Sequence, residues 1–188
     1  MFIMSPVMVF MGVLAKPLII FLLTDKWIEV VPYLQILAIC GLLYPIHSFN
    51  LNILKVKGRS DLFLKLEIIK KIIVGFSVAL AINFGIFALV WSIVLTSLAS
   101  LFINTYYSGK MIGLTISIQL KQIYPSIVSG MICGCIVLAI SSFMYEFSNS
   151  NLLNLIVSAL MGILLYLKIS YLSRSSDYIE LKKIILKR

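Results

Sequence analysis

The chain has 188 residues, of which 61% are hydrophobic and only 12% charged, and its mean hydropathy is +1.09. A water-soluble domain is nearer half apolar and a quarter charged, so a chain of this composition cannot cover its apolar surface with polar groups, and the expected solvent is lipid. The net charge of +9 does not point to nucleic acid, because the basic residues lie between apolar stretches, where they act first as determinants of membrane topology.

A bilayer core of ~30 Å needs about 20 helical residues. Six segments of about that size follow in order, over residues 2–24, 30–54, 62–84, 86–108, 123–147 and 151–173. None alternates as a barrel strand would, so the expected fold is an all-α integral membrane protein with about six transmembrane helices. The breaks carry turn chemistry at Thr24-Asp25-Lys26-Trp27, Gly58-Arg59-Ser60-Asp61, Asn83-Phe84-Gly85 and Ser148-Asn149-Ser150-Asn151. The stretch from Gly109 to Gln122 fits neither periodicity cleanly and is placed at the membrane surface.

Fourteen of the sixteen basic residues fall at every second boundary: Lys55 to Lys71, Lys110 with Lys121, and Lys168 to Arg188. The positive-inside rule then puts both termini in the cytoplasm. Residues 174–188 read as a basic amphipathic tail, with Tyr178, Leu181 and Ile185 on one face and Lys182, Lys183 and Lys187 away from it. A solvated tail is the alternative to an interfacial helix on anionic lipid. The first span opens without a basic leader and contains Lys16 and Pro17, so it reads as a chain entered partway through rather than a signal peptide.

Lys16 sits inside the first span, where a charge costs ~2.5–3.5 kcal/mol and normally faces a polar cavity or partner. It either lines such a cavity or snorkels to the headgroups. His47 and Asn50 share a helical face, with Asn52 turned away; they can bond a cargo or a neighbouring helix. Glu67 lies among Lys65, Lys70 and Lys71 with (i, i+3) and (i, i+4) pairing available, as an anchor or as an ion-coupling site. Trp27, Tyr106, Tyr107, Tyr145 and Tyr171 read as aromatic-belt anchors. Cys40, Cys133 and Cys135 lie in apolar runs and read as apolar fillers, with no disulfide or metal site. No hydrolase, phosphate-loop or dinucleotide motif occurs, so neither catalysis nor a cofactor is expected.

The stretch from Pro17 to Leu66 resembles the C-terminal half of the O-antigen and capsular polysaccharide repeat-unit flippases, the lipopolysaccharide biosynthesis proteins of the multidrug/oligosaccharidyl-lipid/polysaccharide exporter superfamily. The residues that carry the resemblance are Pro6, Pro17, Lys26-Trp27, Pro32, Leu37, Pro45, Asn50, Asn52, Leu54, Gly58-Arg59 and Leu62. It implies two six-helix lobes around a central cavity, often followed by two further helices. The spans here would then form a partial C-terminal lobe that needs a separate N-terminal lobe or upstream fragment. By the same resemblance the cargo is an undecaprenyl-linked oligosaccharide crossing a bacterial plasma membrane, with Lys16, His47 and Asn50 as candidates for its cavity. A drug or cation antiporter of the same superfamily and a non-transporting structural membrane subunit are the other readings.

Overall fold

The computed structural model describes residues 1–147 and 150–172, and among them the fold is all-α. The elements are α1 (Met4–Val13), α2 (Ala15–Leu23), α3 (Val31–Val56), α4 (Ser60–Ala81), α5 (Ile86–Ile112), α6 (Ile116–Phe147) and α7 (Asn151–Leu172), with short 3₁₀ turns over Asp25–Val30 and Ile82–Phe84. Large apolar side chains such as Leu64, Ile72, Phe76, Leu95, Phe102 and Leu164 are exposed, while the backbone polar groups are held within helices, as lipid requires. The protein is an all-α membrane protein. The expected tail, 174–188, and the Ser148-Asn149 part of the last turn lie outside the described residues.

The expected breaks follow from local backbone chemistry. Pro17 has no N–H and its ring clashes with the carbonyl four residues back, which is that of Val13. α1 ends at Val13, and α1 and α2 meet at a 75° bend. The first expected span is therefore a broken pair of short helices. Thr24 (φ 74°) ends α2, Gly58 (φ 69°) ends α3, and Gly85 (φ 87°) separates the second 3₁₀ turn from α5. At Gly58 a side chain would be strained at this φ; the turn closes through Arg59 N–H to Leu54 O at 2.9 Å. Arg59 then donates twice to Asp61, at 3.1 Å each. Hydrogen bonding from Arg59 holds the Asp61 carboxyl below its ordinary range.

Length and composition separate the expected spans into two groups. The helices α3 (with its 3₁₀ lead-in), α5, α6 and α7 are each long and apolar enough to cross a membrane, and the bent α1–α2 pair could make a fifth span. α4 has 22 residues, but Asp61, Lys65, Glu67, Lys70 and Lys71 crowd roughly its first three turns, so length and composition alone do not make it a span. The stretch placed at the membrane surface is no separate element. α5 runs on to Ile112, Gly113 turns the chain in the left-handed conformation, and α6 starts at Ile116. The Thr115 carbonyl accepts from the N–H groups of Ile118 and Gln119, at 3.0 and 3.1 Å, and so starts the new helix.

The chain divides into two compact units: Met1–Ala38 with the chain from Ile123 onward, and Ile39–Gln122. The first has a core of Phe10, Leu14, Cys133, Val137 and Tyr166. Close approach rests on small residues, the usual device where lipid offers no hydrophobic drive between helices. Gly130 and Gly134 form a G-x-x-x-G pair on α6 against Ser5 and Val9 of α1, and Gly162 of α7 meets Val137 and Phe10. Ser5 Oγ donates to the Ser126 carbonyl at 2.7 Å. Along α7, Asn154, Ser158, Gly162, Tyr166 and Ser170 make one buried row at four-residue spacing. Asn154 Nδ2 donates to the Ser141 carbonyl at 2.9 Å, and its Oδ1 accepts from the hydroxyls of Ser141 (2.8 Å) and Ser158 (3.1 Å). A Cβ on Gly130 would collide with Ser5 Oγ. Gly130→Ala should therefore cost about 1 kcal/mol in unfolding free energy despite its better helix propensity. Gly75→Ala, where a Cβ meets nothing within 4 Å, should not; thermal unfolding of the two variants in one detergent checks the contrast.

Candidate functional site

The second unit concentrates its polar side chains along one side of α5. Asn50 of α3 is fully buried. Its Nδ2 donates to Thr105 Oγ1 at 3.1 Å and to Gln119 Oε1 at 3.0 Å, and its Oδ1 accepts from Ser108 Oγ at 2.6 Å. Gln119 Nε2 in turn donates to the Leu114 carbonyl at 3.3 Å. All the hydrogen-bonding positions of the Asn50 amide but one are thus used in pinning α3 to α5 and to the first turn of α6. Its partners are neighbouring helices.

One turn earlier, His47 meets the same helix α5. Asn104 Nδ2 lies 3.3 Å from His47 Nδ1, and His47 Nε2 lies 3.2 Å from Ser97 Oγ. With Asn104 donating to Nδ1, the ring carries its proton on Nε2 and gives it to Ser97, an assignment that follows from the network. Asn104 Oδ1 is buried without a hydrogen-bond partner.

These residues border a cavity of about 320 Å³ whose lining includes His47, Ser97 and Asn104 together with Glu67, Lys70 and Lys71 of α4. Lys70 Nζ pairs with Glu67 Oε1 across three residues, and Lys71 forms no ion pair among the described residues. The lining carries one net positive charge and the hydroxyls of Thr96, Ser97 and Ser100, so it can hold a polar ligand by hydrogen bonds and attract an anionic substituent. Two of the sequence candidates, His47 and Glu67, come together there; Asn50 lies one turn away on the same α3–α5 contact. Lys16 belongs to the other unit, where its ammonium stands 5.7 Å from the centroid of the Tyr145 ring. Asn52 is exposed, as its helical position requires.

The sequence reading did not single out Asn104, Thr105, Ser108 or Ser97. A signal was present: residues 97, 104 and 108 recur at spacings of seven and four inside an apolar run, which marks one polar stripe on a helix. A second, largely apolar cavity of about 460 Å³ lies at the α5–α6 turn beside Phe102, Tyr106, Lys110 and Ile116. Among the described residues no group of three or more His, Cys, Asp or Glu side chains could hold a metal ion.

The chain is similar to the teichuronic acid biosynthesis protein TuaB of Bacillus subtilis (strain 168), with 27% identity over 144 residues that cover 76% of this chain. It spans about 30% of that relative's length. No family profile matches the chain, and no solved structure matches it. The similarity supports a membrane protein related to polysaccharide biosynthesis.

Proposed function

We propose that this chain is part of a transporter that moves lipid-linked polysaccharide repeat units across a bacterial plasma membrane, with both termini on the cytoplasmic side and without covalent chemistry of its own. The observation that carries this reading is the polar cavity of α3, α4 and α5: charged and hydroxyl groups are expensive among membrane helices and are normally kept for a polar pathway. The similarity to a teichuronic acid biosynthesis protein supports a glycan as the cargo class. Alternating access in transporters of this kind works by rocking two lobes about a site between them. The chain covers only a third or less of its relative, so we assign it a place beside further polypeptide that provides the opposing lobe.

Expression in a strain lacking its own repeat-unit flippase tests this. The 188 residues alone should leave surface polysaccharide absent, and co-expression with a matching N-terminal piece should restore it. Restoration by the 188 residues alone would refute the need for an opposing lobe; no restoration in any combination, with both pieces in the membrane, would refute the transport reading.

A further inference from the structure

The apolar cavity of about 460 Å³ at the α5–α6 turn has a wall ordered by chemistry. Phe102, Tyr106 and Lys110 recur every four residues, so they stack along one side of α5 over about 12 Å of its axis. The order runs from apolar ring to phenol to ammonium. Thr115 and Ile116 add the start of α6, and Gly109 and Gly113 line the cavity without side chains of their own. Lys110 lies in the last turn of a 27-residue apolar helix, where lysine and tyrosine side chains meet lipid headgroups. Its Nζ stands 5.0 Å from the centroid of the Tyr106 ring, and it makes no ion pair among the described residues. The two carboxylates of this unit, Asp61 and Glu67, are taken by Arg59 and Lys70. An exposed cation beside an apolar cavity is thus left for an anion from outside the chain.

We propose that this cavity binds one anionic phospholipid, with the phosphodiester against the Lys110 ammonium and the Thr115 hydroxyl, the glycerol esters beside Tyr106, and one acyl chain along Phe102 and Ile116. The sequence of groups on the wall is that of the lipid itself, from chain to ester to phosphate. Basic pockets between membrane helices bind anionic headgroups in the same way. Charge favours this occupant over a diphosphate-linked glycan carrier: a phosphodiester carries a single negative charge, which the one lysine of the lining balances, whereas a diphosphate diester carries two. A free phosphate would meet Lys110 but leave the apolar wall without a part. Because α5 and the first turn of α6 both contribute to the lining, the bound lipid stabilises the turn that joins them. The inference rests on one unit and does not depend on the transport reading.

The full-length chain, delipidated in detergent, is titrated with dioleoylphosphatidylglycerol and with dioleoylphosphatidylcholine, which has the same chains and no net charge, and the lipids retained are counted by native mass spectrometry. One phosphatidylglycerol should be held in preference to phosphatidylcholine. Lys110→Gln should weaken it about fivefold, the effect of one cation beside a headgroup, and Lys110→Arg should keep it. Lys121→Gln removes an exposed cation outside the lining and should change binding by less than about twofold, since charges beyond direct contact are screened. Inorganic phosphate at the lipid's concentration should not compete, and undecaprenyl diphosphate should bind more weakly than phosphatidylglycerol. Equal losses in Lys110→Gln and Lys121→Gln would reduce the effect to diffuse attraction by a basic surface and overturn the proposal. Displacement by inorganic phosphate, or tighter binding of undecaprenyl diphosphate, would overturn it as well, whatever the outcome of the export experiment.

Discussion

Replacing Asn50 by leucine should lower the unfolding free energy by about 2–4 kcal/mol, the largest loss expected of any single substitution in the second unit. Three hydrogen bonds radiate from this fully buried amide, to Thr105, Gln119 and Ser108. Interhelical hydrogen bonds in membranes average ~0.6 kcal/mol each, and removing the hub also strands its partners, at ~1–3 kcal/mol for buried groups left unpaired. Leucine fits the volume but offers neither donor nor acceptor. Asn52→Leu is the matched control: the same change two residues on, at an exposed position, should stay within about 0.5 kcal/mol of the parent. Reversible unfolding in mixed micelles measures both. A difference below about 0.5 kcal/mol between the two variants would mean that Asn50 does not hold α3, α5 and α6 together.

The same network shows where sequence reasoning reaches and where it stops. Helix ends were legible because their causes are local: Pro17 breaks the helix four residues upstream, and Gly58 and Gly85 take up backbone conformations that other residues avoid. That His47 and Asn50 share a face was also legible, since helical period fixes it. Their partners were not, because they lie 50 to 69 residues away in sequence and the choice of partner is made by helix packing. Serine, threonine and asparagine within an apolar run leave mean hydropathy almost unchanged; only their spacing reveals a stripe. The row of Asn154, Ser158, Gly162, Tyr166 and Ser170 is the same lesson on α7. Charge is read with less certainty of surroundings than of position. Lys16, conspicuous in sequence, is exposed beside Tyr145, whereas Glu67, readable as a charged helix end, borders the cavity with its Lys70 partner. Insertion cost flags a buried charge without saying which neighbour neutralises it.

Glu67 and Lys70 give the second large effect, and a test of how α4 carries charge among apolar helices. The lysine side chain is 12% exposed and the glutamate 33%, so the pair is partly shielded and partly open to the cavity. Removing one partner of a buried pair leaves the other uncompensated, at ~3–5 kcal/mol in fully buried cases. With one end a third exposed, solvent screening discounts that figure, and Glu67→Gln should cost about 1–3 kcal/mol. The loss comes from leaving Lys70 and Lys71 together without a counter-charge. Lys70→Met in the Glu67→Gln background should then recover much of the stability, since replacing both partners by groups of similar shape is often neutral. The double-mutant cycle reads the coupling directly. If the single and double variants are equally unstable, the carboxylate acts through contacts other than Lys70. If the double variant recovers its fold but, co-expressed with the N-terminal piece in the proposed export test, no longer restores surface polysaccharide, the charges of α4 serve the cavity and not the packing of the helix.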